Sequence, residues 1–193
     1  VVRKLVITGG PSAGKTNITR LLASEFPDRL VLVPESATAV YERENTHWTL
    51  LDTDGRRGIQ RRMYHYQLQN EELLAAANPG RILLLDRGTV DGATYWPDGP
   101  EAFFKDRNTS LEAELARYDV VVWLETVAVT GEYRREADNE KRFESAEEAI
   151  RKGLELLDVW GQHPRFHIVP ADKDWERKVD AVRALISQFL PPA

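Results

Sequence analysis

Residues 9–16 run Gly-Gly-Pro-Ser-Ala-Gly-Lys-Thr, the pattern G-x-x-x-x-G-K-[ST] with Gly9, Gly14, Lys15 and Thr16 at its fixed positions. Ahead of them lies Lys4-Leu-Val-Ile-Thr8, a short apolar run of the kind that forms a buried strand. Behind them come Ile18, Leu21, Leu22 and Phe26, apolar at helical spacing. Strand, glycine loop and helix in that order leave few folds open. The loop must turn its N–H groups inward at the end of a buried strand, and the helix N-terminus adds its positive end. Gly9 and Gly14 supply backbone angles that a Cβ would resist. Such a cradle takes the phosphates of a nucleoside triphosphate. Gly9, Gly10, Pro11, Ser12, Ala13, Gly14 and Asn17 are the expected surround, with Lys15 reaching the β- and γ-phosphates and the Thr16 hydroxyl binding Mg²⁺.

Composition narrows the alternatives. At 193 residues a single domain is expected, covering 1–193. A net charge of −5 lacks the basic excess of a nucleic-acid surface, so no nucleic-acid partner is expected. With no cysteine there is neither a disulfide framework nor a thiolate nucleophile or metal site. No stretch has the length of a membrane span or the layout of a signal peptide, and a cytoplasmic location is expected.

Strand and helix signals alternate along the chain. Residues 29–33, 81–86, 118–124 and 166–169 read as four more short apolar strands. Helices are predicted from Gly55 to about Ala77, from Ser145 to about Gly161 behind a Ser145-x-x-Glu148 capping box, and from Trp175 to Leu190. Five nearly all-apolar strands separated by helices predict an α/β fold, a parallel sheet covered on both faces. In such sheets ligands sit outside the carboxyl ends of the strands.

The residues just after the strands therefore carry the chemistry. Glu35 follows the second strand, where a carboxylate could accept a proton from an attacking hydroxyl, hold a Mg²⁺ water, or simply sit at a helix N-terminus. The third strand ends Leu85-Asp86-Arg87-Gly88, an apolar run closing on an aspartate suited to hold Mg²⁺. Arg87 offers a planar guanidinium to phosphate or sugar hydroxyls, or an ion pair to Glu35 or Asp91.

Val33-Pro-Glu35 with Asp86-Arg87-Gly88 resembles the P-loop kinase group, whose deoxynucleoside and thymidylate kinases carry a similar carboxylate and Asp/Glu-Arg pair. The longer run Asp86-Arg-Gly-Thr-Val-Asp91 is similar to small AAA-domain ATPases related to nicotinamide riboside kinase. The resemblance implies a P-loop NTPase sandwich with strand order 2-3-1-4-5. It also implies Glu35 as base or metal partner, Asp86 as magnesium partner, and Arg87 and Asp91 as acceptor contacts. It places an arginine-bearing lid at about 126–144, with Arg134 and Arg135 first among its candidates, and adenine beside Ala171. Absence of a guanine-reading N-K-x-D motif favours ATP. Aromatic residues after the second and third strands (Tyr41, Trp48, Tyr95, Trp96) could line a pocket for a flat base, or belong to the core. Arg56, Arg57, Arg61 and Arg62 could bind an anionic substrate or solvate a helix. The expected function is ATP- and Mg²⁺-dependent phosphoryl transfer to a small acceptor such as a nucleoside or nucleotide. The alternatives are a nucleotide-dependent switch with a protein or lipid partner, and a simple ATPase.

Overall fold

The computed structural model describes residues 3–131 and 145–190. Five strands, β1 (Lys4–Gly9), β2 (Leu30–Val33), β3 (Ile82–Asp86), β4 (Val120–Leu124) and β5 (Phe166–Val169), form one sheet in the order 2-3-1-4-5. Every pairing is parallel. The register sets Ile7 beside Asp86, Gly9 beside Leu124, and Leu124 beside Val169, so the carboxyl ends gather along one edge.

The strands are apolar because both faces are covered. Leu5, Ile7, Leu84, Val120 and Val122 point to one side. There they pack on Ile18 and Leu22 of α1 (Lys15–Glu25) and on Val179, Val182 and Ile186 of α8 (Trp175–Ser187). Val6, Leu83, Leu85, Val121 and Trp123 point to the other, against Leu156, Val159 and Trp160 of α7 (Ala146–Trp160). This alternation is the period-2 geometry of a strand buried twice.

The remaining helices build the rim around the carboxyl edge: α2 (Ser36–Glu44), α3 (Thr53–Ala77), α4 (Asp91–Thr94), α5 (Pro100–Arg107) and α6 (Leu111–Leu115). Helix α3 starts at Thr53, two residues before the expected Gly55, because the Asp52 side chain accepts from Gly55 N at 2.8 Å and caps it. The predicted capping box of α7 is present, with Ser145 and Glu148 bonding reciprocally. Helix α8 ends at Ser187 rather than Leu190. Among the described residues no helix is long and apolar enough to cross a membrane.

Candidate functional site

The phosphate loop leaves β1 at Gly9 and enters α1 at Lys15. A Cβ on Gly9 would lie 2.2 Å from the Leu124 carbonyl oxygen, and its φ is +135°. Gly14 caps α1 in the left-handed region at φ +86°, with the Trp175 ring so close that a Cβ would fall 2.6 Å from it. Only glycine fits either place. Lys15 lies buried along the loop and donates to the Gly10 carbonyl at 2.7 Å. Burial, with Arg87 next, pulls its pKa down to about 7, although Asp86, Glu35 and Asp91 oppose the fall.

Thr16 and Asp86, the two residues expected to hold Mg²⁺, lie side by side. The Thr16 hydroxyl donates to Asp86 Oδ2 at 2.6 Å. The other oxygen, Asp86 Oδ1, is buried and has no partner. Burial and the neighbouring Glu35 push the Asp86 pKa above the ordinary carboxylate value. A desolvated carboxylate oxygen beside a hydroxyl, next to a phosphate cradle, fits a Mg²⁺ ion that takes its other ligands from phosphate and water.

Arg87 is the hinge of the other half. It is a non-glycine residue at φ +73°, a sparsely populated conformation that costs about 1 kcal/mol or more. Its Nε donates to Glu35 Oε1 at 2.6 Å and its Nη1 to Asp91 Oδ1 at 2.9 Å. Asp91 is buried and receives three further donors: the Thr8 hydroxyl at 3.0 Å, Gly88 N at 3.3 Å and Trp160 Nε1 at 2.9 Å. Its carboxylate is thus engaged within the protein on both oxygens and holds Arg87 in place. Glu35 keeps a freer position, about one-quarter exposed, with Thr38 donating to its second oxygen at 3.0 Å. Burial pushes its pKa up, but Arg87 and Lys15 outweigh that and hold it below the ordinary range.

A cleft of about 2500 Å³ joins these groups, larger than the roughly 300–1,000 Å³ of one small-ligand pocket. At one end are Pro11–Asn17, Lys173, Trp175 and Lys178. At the other are Tyr41, His47, Trp48, Tyr64, Tyr95 and Trp96, with Gln60 and Gln67 of α3 between them. Trp96 is largely buried, edge-on to Phe103 at 5.7 Å, and presents only a margin to the cleft. Phe103 and Phe104 belong to the core beneath it.

Ala171 and the arginines of α3 are engaged within the protein. Ala171 does not line the cleft, and its N–H donates to Glu125 Oε2 at 2.9 Å. The arginine cluster of α3 is neutralised: Arg57 by Asp54 and Asp98, Arg61 by Asp106, Arg62 by Glu44, while Arg56 stacks on Trp48 at 4.9 Å. Arg134 and Arg135 lie outside the described residues.

Sequence reasoning missed the second layer. Gln67 donates to Glu71, which is fully buried, and Glu71 also takes Lys4 Nζ at 2.7 Å and the Tyr118 hydroxyl at 3.0 Å. Tyr118 in turn accepts from Thr89 N at 2.8 Å, and the Thr89 hydroxyl donates to buried Glu114 at 2.7 Å. This network pins the turn that carries Arg87. Its members are scattered over β1, α3, α6 and two loops, so no local pattern announces them.

Sheet order, helices on both faces and the phosphate loop define a P-loop NTPase fold. Residues 4–178 match the family model described as an AAA domain, and the chain belongs to that family. Among solved structures it is similar to the deoxyadenosine kinase from M. mycoides with bound dATP. The TM-score is 0.65 at 14% identity, over 95% of this chain and 99% of that one. No curated protein shows significant sequence similarity to the chain.

Proposed function

We propose that the protein transfers the γ-phosphoryl group of ATP, with Mg²⁺, to a hydroxyl of a small acceptor, a nucleoside or nucleotide being the class that fits best. The observation that carries this reading is the position of Glu35. It lies in one cleft with the phosphate loop and the Thr16–Asp86 pair on one side, and with an aromatic wall on the other. The cleft runs on past the phosphate loop to that aromatic wall, room that hydrolysis alone does not need. The likeness to deoxyadenosine kinase supports a nucleoside acceptor.

In this reading the triphosphate lies along Pro11–Asn17, its β- and γ-phosphates drawing Lys15 away from the Gly10 carbonyl. Trp175, two-fifths exposed at the mouth, offers a face to the base. Thr16 and Asp86 would hold Mg²⁺, which when bound would neutralise phosphate charge. The acceptor ring rests among Trp48, Tyr64 and Tyr95, and the amide of Gln60, largely buried at the cleft wall, offers it a donor and an acceptor. Glu35 accepts a hydrogen bond from the attacking hydroxyl. As the new O–P bond forms and the bond to the β-phosphate oxygen breaks, the proton passes to Glu35 and ADP leaves. A carboxylate held below its ordinary pKa is a weak base, so it orients the hydroxyl first and takes the proton late. That suits a loose transition state in which little proton removal is needed before bond breaking. Arg87 fixes Glu35 and adds positive charge beside the transferring group.

The test is ADP release from MgATP with and without nucleosides, deoxynucleosides, nucleotides and nicotinamide riboside. Strong stimulation by one class establishes the kinase and names its acceptor. Slow turnover that no compound stimulates, despite tight ATP binding, replaces this reading with the nucleotide switch.

A further inference from the structure

Three carbonyl oxygens of the phosphate loop are held by side chains. Gly10 O receives Lys15. The other two are held from outside the motif. The hydroxyl of Thr126, buried just after β4, donates to Pro11 O at 2.8 Å. The ammonium of Lys178, buried in α8, donates to Ala13 O at 2.9 Å and to Glu125 O at 2.7 Å. In a trans peptide the C=O of one residue and the N–H of the next point in opposite directions on one plane. Tying Pro11 O outward therefore aims the Ser12 N–H the other way, and tying Ala13 O outward does the same for the Gly14 N–H. These planes flank the two left-handed residues of the loop, Ser12 at φ +58° and Gly14 at φ +86°. At such points the chain has most reason to relax into another turn.

We propose that Thr126 and Lys178 are positioning residues for the nucleotide: they brace the phosphate loop through its carbonyls and hold its N–H groups in anion-binding order. The inference rests on the reading of residues 9–16 as the phosphate site. Lys178 has a second effect, because a buried cation beneath the loop attracts the polyanion above it. Glu125 ties the brace together, since its carbonyl takes Lys178 and its carboxylate takes Ala171 N at 2.9 Å. The ends of β4 and β5, the start of α8 and the phosphate loop thus form one rigid corner. The brace is independent of the P-loop signature in sequence, which ends at Thr16.

The experiment measures ADP affinity by calorimetry, well below the unfolding temperature, together with the ligand-free melting temperature. The variants are Thr126→Val, Thr126→Ser and Lys178→Met. Thr126→Val keeps the shape and removes the donor, and should weaken ADP about three- to tenfold. Thr126→Ser, which keeps the hydroxyl, should restore the wild-type value. Lys178→Met removes a charged donor and should weaken ADP by about 10- to 100-fold. Variants that lower the melting temperature yet bind ADP as the wild type does would overturn the brace and leave the nucleotide reading standing. A wild-type chain that binds no ADP would overturn both. If Lys178→Met fails to fold, the Thr126 pair decides alone.

Discussion

The two ends of the cleft are built from different materials. The phosphate end is made of main chain: eight consecutive residues supply the cradle, and side chains from β3, the β4 loop and α8 lock it. The acceptor end is made of side chains: Glu35, Gln60, Tyr64, Arg87 and Tyr95 arrive from the residue before α2, from α3, from the β3 turn and from the residue that closes α4. A main-chain site needs a fixed local backbone path, and few residue types permit that path. A side-chain site needs only that several helices pack correctly. Any one of its members can change, and the substrate changes with it. The phosphate end therefore sets the kind of reaction, and the acceptor end sets what is acted on.

Removing Lys15, which the proposed function sets against the transferring phosphates, should have the largest effect. Lys15→Ala should lower phosphoryl transfer about a thousandfold with an unchanged circular dichroism spectrum. Wild-type rates in that variant would show that the loop is not the catalytic cradle. Glu35→Gln attacks the junction instead. It should cost about a hundredfold in kcat, the effect of losing a positioned base, and leave the KM for ATP within about twofold. If both constants moved together, Glu35 would belong to the phosphate end, as a metal-water contact, and the division drawn above would fail there.

How far each end was legible in the sequence follows from the same difference. Gly9 and Gly14 are dictated by backbone angles and by the Leu124 carbonyl and Trp175 ring, so the motif fixes the geometry by itself. Apolar strands of the right length announced a parallel sheet, its order came from the kinase resemblance, and the strand-end position of Asp86 put it near the phosphate loop and Thr16. The Arg87–Asp91 ion pair was legible as one alternative, but the full engagement of Asp91 was not, because its partners Thr8 and Trp160 lie 83 and 69 residues away. Gln60 and Lys178 gave no signal: a glutamine or lysine on an amphipathic helix reads as solvated until packing buries it. Ala171 was expected to meet the base, yet the chain after Pro170 turns its N–H onto Glu125, and Trp175 stands at the cleft mouth instead.

A smaller effect sharpens the acceptor side. Gln60→Ala should raise the acceptor KM by about ten- to a hundredfold, because a site built to hydrogen-bond an edge loses that bond. ADP affinity should stay within about twofold. A change in ADP affinity with the acceptor KM untouched would move Gln60 to the other end of the cleft.

The smallest effect concerns stability and separates the ends by pH. Burial holds Lys15 at about 7, with Arg87 assisting, and holds Lys178 at about 8, whereas an unfolded lysine keeps its ordinary value of 10.5. Above those values the folded chain has shed protons that the unfolded chain still carries. Unfolding then takes up protons, so stability must rise with pH from about 7 toward 10. The slope is at most about 1.4 kcal/mol per pH unit for each lysine. Beyond pH 10 the sign reverses, because burial, with Glu71 next, pushes Tyr118 well above 10 and the unfolded state releases that proton first. In α5, Asp106 is held at about 2 by Arg61, against the opposing effect of burial, so it adds stability above the ordinary carboxylate value that is lost only as pH falls toward 2. Urea midpoints of the ligand-free protein in EDTA, from pH 6.5 to 9.5, should therefore climb. Lys15→Met should flatten the climb from pH 7 upward and Lys178→Met from pH 8. Saturating ADP should flatten it too, since the polyanion returns the proton to Lys15. A flat wild-type profile would mean that these two lysines are solvated, and that the phosphate end is looser than its hydrogen bonds imply.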